Sequence, residues 1–187
     1  MRIRTLLLKA GRSVAALALA VLAIGVYTAH ATTTNTPAVD EQAINKQVHR
    51  ALVTLPWYGV FDNLQYSING TEVTLSGQVL QPGETKSDAE KAVRHVEGVT
   101  RVVNNIQVLP LSTFDDRIRR AEFRAIFSDP SLGRYAQGPI PSIHIIVSNG
   151  HVTLDGVVMN QMDYNIARMR ALGVPGVFSV TNNLQIG

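Results

Sequence analysis

The chain has 187 residues, with 17 Lys and Arg against 14 Asp and Glu, and it has no Cys. Without Cys it forms no disulfide and carries no thiol-linked lipid, which excludes disulfide-stabilised secreted domains and lipoproteins. The formal net charge of +3 would by itself favour an acidic partner such as nucleic acid.

The N-terminal segment, from Met1 to Ala31, has the pattern of a signal peptide. An uninterrupted apolar run covers residues 14–26, and Ala29-His30-Ala31 matches the small-x-small pattern of a cleavage site. The basic residues that precede the run are Arg2, Arg4, Lys9 and Arg12. The run of about 13 residues is shorter than the roughly 20 that span a bilayer, so we expect cleavage after Ala31 rather than a membrane anchor.

Removal of this leader changes the charge balance. The leader holds 4 of the 17 basic residues and none of the 14 acidic ones, which leaves 13 against 14. A nucleic-acid partner is therefore not expected. We predict an exported, periplasmic protein whose residues 32–39 form a flexible spacer, because they have no apolar pattern.

A helix is predicted at the start of the remaining chain, from Asp40 as the N-cap to a stop at Pro56. Its apolar stripe consists of Ile44, Val48, Ala51, Leu52 and Leu55. The alignment of the chain with itself that places Ile44 on Ile118 also places Pro56 on Pro130. The helix is therefore expected to occur twice.

A hairpin is predicted after each of these helices. An Asn-Gly pair, at residues 69–70 and 149–150, precedes a Val-Thr-Leu-x-Gly-x-Val segment, at residues 73–79 and 152–158. Asn and Gly tolerate the positive φ of a tight turn, and the alternating pattern predicts a strand buried on one face. The first strands are expected near residues 64–68 and 143–147, the latter after an irregular Pro-rich insertion at 137–141.

A second helix is predicted after each hairpin, at residues 85–96 and 162–172. We expect Met162, Ile166 and Met169 on the apolar side of the later copy. Gly98 and Gly176 follow as the residues that close these helices.

A last strand is predicted at residues 102–108 and again at 180–186. Val102, Ile106 and Val108 share one parity and are expected to face the helices. Asn104 has the same parity, so we expect its amide to be satisfied by backbone hydrogen bonds rather than to bind a ligand.

Each unit is thus helix, strand, strand, helix, strand, and the fold class is α+β. We expect two tandem α-β-β-α-β domains, each a three-stranded mixed sheet with two helices on one face. The predicted domains are residues 40–109 and 114–187, joined by a linker at 110–113. The opposite sheet face, with Thr74, Ser76 and Gln78, is expected to be open, and units this small are expected to pack on each other. The pattern leaves open which strand is central.

These residues resemble the BON domain, named for bacterial osmotically inducible and nodulation proteins. Residues 70–79 and 98–108 carry the resemblance in the first copy, and residues 150–158 and 176–186 carry it in the second. The leader followed by two such domains is similar to a group of osmotically inducible periplasmic proteins. The resemblance implies a non-enzymatic envelope protein that binds phospholipid surfaces. The second copy departs from the first by its Pro-rich insertion and by lacking an equivalent of Trp57.

The sequence shows no pattern that predicts catalysis, a cofactor or a metal. Serines lack a nucleophile-elbow context, and no Gly-rich phosphate loop opens a helix. His151 and Asp155 share one face of a strand but lie roughly 13 Å apart by strand rise, which is too far for a metal site. No enzyme activity and no small-molecule substrate are expected.

The first helix of the second domain carries the predicted site. Arg117, Arg120 and Arg124 recur at helical spacing and form a basic stripe, with Phe123 and Phe127 beside it. The core side of this helix is predicted to be Phe114, Ile118, Ala121 and Ala125. Alternatively, the stripe is a solvated face whose phenylalanines pack on the first domain. Trp57, just past the first helix, is a further aromatic candidate, although core packing explains it equally well.

Two functions are compatible with these surfaces. The first is peripheral association with an anionic phospholipid membrane surface, as an envelope protein under osmotic stress. The second is a chaperone-like or protein-interaction role with envelope proteins, through the open sheet face or an exposed strand edge.

Overall fold

The computed structural model describes residues 40–80 and 84–187. The predicted signal peptide at residues 1–31 and spacer at 32–39 lie outside the described residues. No helix within the described ranges is long and apolar enough to cross a membrane.

The predicted element order is confirmed in both copies. The first repeat consists of α1 (Glu41–Val53), β1 (Asn63–Asn69), β2 (Glu72–Val79), α2 (Glu84–Arg94), β3 (Arg101–Asn104) and β4 (Gln107–Val108). The second repeat consists of α3 (Thr113–Phe127), a short 3-10 helix (Gly133–Ala136), β5 (Ile143–Ser148), β6 (His151–Val158), α4 (Gln161–Leu172), β7 (Ser179–Asn182) and β8 (Gln185–Ile186). The chain is therefore α+β with two mixed sheets.

The second strand of each hairpin is the centre of its sheet, a point that the sequence left open. β2 pairs antiparallel with β1 and parallel with β3 and β4. β6 pairs in the same way with β5, β7 and β8. This position explains why the Val-Thr-Leu-x-Gly-x-Val segment is so similar in the two copies, because it must match a strand on each side and a helix layer above.

Each repeat has its own apolar core between its sheet and its helices. In α1, Asp40 accepts hydrogen bonds from the backbone N–H groups of Gln42 and Ala43, as predicted for an N-cap. The buried residues of α1 are Ile44, Val48 and Leu52. The other two residues of the predicted stripe, Ala51 and Leu55, are partly buried against the same core, and Leu55 lies beyond the end of α1 at Val53.

The last strand of each sheet is interrupted, because its Asn turns the backbone. Asn104 Oδ1 accepts from the N–H of Ile106, two residues on, while its Nδ2 donates to the carbonyl of Lys86 and to Glu90. Such a local side-chain bond competes with the strand ladder. The expectation of a satisfied amide is confirmed, but Val108 is 39% exposed and Leu109 is buried instead.

The two hairpin turns differ, although both contain Asn-Gly. In the second repeat, Asn149 and Gly150 are the two turn residues and both have positive φ. In the first repeat, Asn69 still pairs with Glu72, so the turn residues are Gly70 and Thr71. The prediction that both Asn-Gly pairs form the turn is wrong by one residue for the first copy.

The glycine in the middle of each central strand is required by a close backbone approach. Gly77 and Gly156 have φ values of 102° and 123°. A Cβ at Gly156 would lie 2.0 Å from the carbonyl oxygen of Ser142, and a Cβ at Gly77 would lie 2.0 Å from that of Asn63. No side chain fits there, which accounts for the repeated Gly of the pattern.

Of the three residues predicted on the apolar side of α4, Ile166 is partly buried against the core, but the two methionines are not. The buried residues of α4 are Asp163, Ala167 and Ala171, whereas Met162 and Met169 are 68% and 63% exposed. Gly98 and Gly176 have positive φ but lie in the turns beyond the helices rather than at their last residue.

The two repeats pack on each other through the segment between α1 and β1. The backbone N–H of Ile145 on β5 donates to the carbonyl of Val60 at 2.8 Å, and the rings of Tyr58 and His144 stack at 5.4 Å. As a result, every residue of β5 from Ile143 to Val147 is buried, so β5 is covered on both faces. The sheet face expected to be open is closed at this strand.

Candidate functional site

Helix α3 turns a partly polar face inward. Its buried residues are Asp115, Ile118, Arg119, Glu122 and Ile126. Of the four residues predicted as core, Ile118 is buried, Ala121 and Ala125 are partly buried, and Phe114 is 36% exposed. The prediction for Phe114 is wrong, and the inward face of α3 instead includes three buried ionisable side chains, Asp115, Arg119 and Glu122.

Arg119 holds α3 to the edge of the second sheet. Its guanidinium donates to the carbonyl of Val147 and to Asp116, both at 2.6 Å. The backbone N–H of Ile145 points to the outer edge of β5, where it bonds to the first repeat. Because backbone groups of a strand point to the same edge at every second residue, the backbone carbonyl of Val147 lies at this edge too. The side chain of Arg119 therefore satisfies an edge carbonyl that is buried from water.

Asp115 fixes the start of α3 against the hairpin turn. Its carboxylate accepts from the backbone N–H groups of Asn149 and Gly150, at 3.0 and 2.8 Å. Glu41 has the equivalent role in the first repeat, where it accepts from Gly70 at 3.0 Å. Both contacts set the angle at which the first helix of each repeat crosses its sheet.

The three arginines of the predicted stripe lie on the side of α3 that faces away from the core. Arg117, Arg120 and Arg124 are all exposed. Within residues 40–80 and 84–187, none of them forms an ion pair with a carboxylate. We call these three residues the arginine face; their charge is available to an external anion.

Phe123 and Phe127 lie beside the arginine face, and Phe123 contacts the first repeat. Their rings meet edge to face at 5.0 Å, and Phe123 also meets Phe61 at 6.4 Å. Phe127 is partly buried against the core of the second repeat, whereas Phe123 remains 39% exposed. Of the two phenylalanines, Phe123 thus packs on the first repeat and still reaches the surface, while Phe127 packs on the core of its own repeat.

An open apolar cleft of about 250 Å³ lies at this junction. It is lined by Val60, Phe61, Arg120, Phe123 and Arg124. Two residues of the first repeat therefore belong to the site. Sequence reasoning missed Phe61, because nothing in the pattern near residue 61 shows which surface it meets.

A second aromatic group lies at the start of α3. The rings of Phe114 and Phe178 stack at 6.0 Å, and the guanidinium of Arg117 lies 5.9 Å from the centre of the Phe114 ring. Phe178 is 70% exposed. Basic and aromatic side chains thus alternate along the exposed side of the helix.

Trp57 lies in the turn after α1 and is 56% exposed. It belongs to the same segment as Tyr58 and Val60, which contact the second repeat. Its exposure excludes the core-packing interpretation and leaves its ring available at the surface.

Buried ionisable groups lie beneath this surface, between the repeats. Burial raises the pKa of Asp62, although backbone N–H groups of Leu80 and Gly59 and the charges of His144 and Arg119 oppose that rise. Burial lowers the pKa of His144 and raises the pKa of Tyr58 to about 12. His144 and Tyr58 are thus expected to be uncharged at neutral pH, as a packed junction requires.

The described residues assemble no metal centre. Across residues 40–80 and 84–187, no group of three or more His, Asp and Glu side chains is placed to hold a metal ion. His151 donates to or accepts from Ser179 at 2.7 Å and is exposed, so its hydrogen bond is a local surface contact.

Comparison with known proteins identifies the repeated unit. The BON domain matches residues 40–110 and, a second time, residues 115–187. No curated protein matches the chain. Solved structures similar to it include CdsD, a structural protein of the type III secretion system of Chlamydia trachomatis, at 12% identity, over 77% of this chain and 93% of that chain, with a TM-score of 0.28. The C-terminal domain of CdsD is similar at 12% identity, over 76% of this chain and 96% of that chain, with a TM-score of 0.26. Similarities at these TM-scores support no conclusion about this chain.

Proposed function

The chain belongs to the BON domain family, and we propose that it is a periplasmic binding protein that attaches to anionic phospholipid surfaces of the cell envelope. The contact is made by the arginine face of α3 together with Phe123. No catalytic step and no cofactor take part.

The observation that carries this proposal is the exposed row of Arg117, Arg120 and Arg124 beside a partly exposed aromatic ring. Basic side chains near an anionic bilayer contribute about 1 kcal/mol each, and apolar groups at the headgroup boundary add to that attraction. Because the three arginines form no ion pairs within the described residues, docking breaks no existing salt bridge.

The first repeat lacks an equivalent surface, which supports a contact through the second repeat. When Ile44 is aligned with Ile118, Arg117 falls on Ala43, and Phe123 and Phe127 fall on His49 and Val53. Only the basic residues Lys46 and Arg50 correspond to Arg120 and Arg124.

The junction between the repeats presents the site as a rigid surface. Arg119 and Asp115 fix α3 to β5 and to the hairpin turn. Phe61 of the first repeat packs on Phe123 from the other side. A surface held in this way loses little conformational freedom on binding, which favours affinity.

The periplasmic location rests on the predicted signal peptide, and the envelope and osmotic-stress role rests on membership of the family. The rival role, binding of envelope polypeptides at a strand edge, has less support in the second repeat. There the outer edge of β5 already bonds to Val60 and to Arg119.

The test is sedimentation of the protein with vesicles of anionic or zwitterionic phospholipid at low and high salt. Arg120→Glu/Arg124→Glu reverses two charges of the arginine face. Lys46→Glu/Arg50→Glu is the matched control, since it makes the same charge change at the equivalent exposed positions of α1.

We expect binding that requires anionic lipid and weakens with salt. At about 1 kcal/mol per charge, the double variant on α3 is expected to lose on the order of 100-fold in affinity, and the control much less. Absence of binding to both vesicle types would refute the proposal and leave polypeptide binding as the better account. Equal loss in both double variants would show that only the net charge matters and that α3 is not the site.

A further inference from the structure

Helix α4 exposes large apolar side chains that its own core does not use. Met162, Met169 and Leu172 are 68%, 63% and 49% exposed. Single exposed apolar residues are normal on a protein surface, but three on one side of a 12-residue helix form a patch. Ile166, between the two methionines, is partly buried against the core and extends the patch inward.

Comparison with α2 shows that the fold does not require these residues. Alignment of Gly98 with Gly176 places the buried Ala89 and Val93 of α2 on the buried Ala167 and Ala171 of α4. The same alignment places Glu84, Lys91 and Arg94 of α2 on Met162, Met169 and Leu172 of α4, respectively. The first repeat thus has charged residues where the second has Met162, Met169 and Leu172. Since both helices pack in the same way, the apolar residues of α4 have another role.

The apolar patch of α4 meets the arginine face of α3 at Met169. Met169 and Arg124 line one open groove, whose floor includes Ala121, Ala125 and Val174. Arg124 also lines the cleft that contains Phe123. Arg124 therefore connects the cleft at Phe123 with the groove at Met169, and the exposed apolar side chains of α4 begin where the arginine face ends.

The charged groups around the patch are mainly basic. Arg168 is exposed on α4, whereas the charge of Arg170 is balanced by the nearby Asp129, to which it donates two hydrogen bonds, at 2.9 and 2.7 Å. A ligand of this surface must combine negative charge with apolar groups. The grooves are open and shallow, without the enclosed pockets in which the anchor side chains of a protein partner usually bury.

We propose that Met162, Met169 and Leu172 are the residues that enter the acyl boundary of an anionic phospholipid surface when the arginine face holds the headgroups. The inference rests on the proposed function and extends it from α3 to α4. Flexible, unbranched methionine side chains adapt to a fluid surface that offers no fixed complementary shape. Two helices in one layer can bury more apolar area at the headgroup boundary than one helix, and membrane binding strengthens with that area.

The first test compares Met169→Gln and Met162→Gln/Met169→Gln with the wild-type chain in sedimentation with anionic phospholipid vesicles. The protein is purified after export by the expressing cell, so that any cleavage of the signal peptide after Ala31 has already taken place. Met159→Gln is the matched control, because Met159 is 64% exposed but precedes α4. Gln preserves charge and helix propensity, so the change is confined to apolar contact.

We expect the double variant to bind on the order of 10- to 100-fold more weakly, with its preference for anionic lipid retained, and the Met159→Gln control to bind like the wild type. Wild-type affinity in the double variant would overturn the inference, and so would an equal loss in the control. If the wild type binds and only Arg120→Glu/Arg124→Glu fails to bind, the inference fails and the proposed function stands. If the wild type does not bind, both fail.

The second test reports depth of insertion directly. The chain has one Trp, Trp57, so a Trp57→Phe/Met169→Trp variant has its only indole on α4. Its fluorescence is expected to shift to shorter wavelength and to be quenched by phospholipid brominated along the acyl chain. Emission that stays unchanged on binding would overturn the inference, because the side chain would then remain in water.

Discussion

Glu122 is a buried carboxyl at a position where the first repeat has an apolar residue. It occupies the position that Val48 has in α1, and both side chains are fully buried. Neither carboxylate oxygen of Glu122 has a hydrogen-bond partner among the described residues. Burial raises the pKa of Glu122 to about 8 from its ordinary value of 4.5. The folded protein therefore holds this group protonated at neutral pH, while the unfolded chain ionises it.

The raised pKa of Glu122 makes stability fall as the pH rises between about 4.5 and 8, because the folded state there binds more protons than the unfolded chain. With these two pKa values, the free energy of unfolding is lowered by about 1 kcal/mol at pH 5 and by about 3 kcal/mol at pH 7. Glu122→Gln removes the ionisation and leaves a buried amide, whose cost does not vary with pH. The free energy of unfolding of the variant, relative to that of the wild type, is therefore expected to increase by about 2 kcal/mol from pH 5 to pH 7.

The assay is urea unfolding followed by circular dichroism at pH 5, 6 and 7. Glu97→Gln is the control, because it makes the same chemical change at an exposed position. A constant difference between Glu122→Gln and the wild type across this range would refute the reasoning. It would mean that Glu122 is ionised and paired in the folded protein, for instance with Arg119 one turn earlier.

Two further predictions concern stability. Gly156→Ala places a Cβ 2.0 Å from the carbonyl oxygen of Ser142. We expect it to lower the free energy of unfolding by at least about 2 kcal/mol more than Gly70→Ala does, because at Gly70 the positive φ is strained but nothing lies within 4 Å. Equal free energies of unfolding for the two variants would contradict this prediction. Tyr135→Phe removes the hydroxyl that donates to the buried Asp163 at 2.5 Å, and it is expected to lower the free energy of unfolding by about 1–3 kcal/mol. Urea unfolding measures both effects, and a loss below about 0.5 kcal/mol for Tyr135→Phe would show that this bond is not needed.

Local patterns in the sequence predicted the repeated architecture well. Asp40 as an N-cap, the apolar stripe of α1 and the alternation of β2 are properties of short segments, because helix and strand periods act over neighbouring residues. The prediction for Asn104 also succeeded, since a polar side chain on a buried face must find a partner.

The errors arose where two distant segments compete for one position. The inward face of α3 contains Arg119 because the carbonyl of Val147, far along the chain on β5, needs a donor at the covered edge of that strand. That edge is covered because Val60 of the first repeat bonds to it. Neither requirement is visible in the periodicity of α3, so Phe114 was assigned to the core and is exposed instead.

In the candidate site, too, some features could be predicted from local sequence patterns and others depended on the packing of whole elements. The spacing of Arg117, Arg120 and Arg124 was enough to place them on one exposed side of a helix, since a helical period is a local property. The partnership of Phe123 with Phe61, and the outward direction of Met162 and Met169, depended on how whole elements pack.

The sequence by itself determined that this protein has two copies of one α-β-β-α-β unit, with a helix in the second copy that carries three arginines. The tertiary structure decided which strand is central, how the two units dock, and which side chains remain at the surface. The physical reason is that hydrogen-bonding periods and turn residues act over a few neighbours, whereas burial depends on every backbone edge and apolar face that must be covered at once.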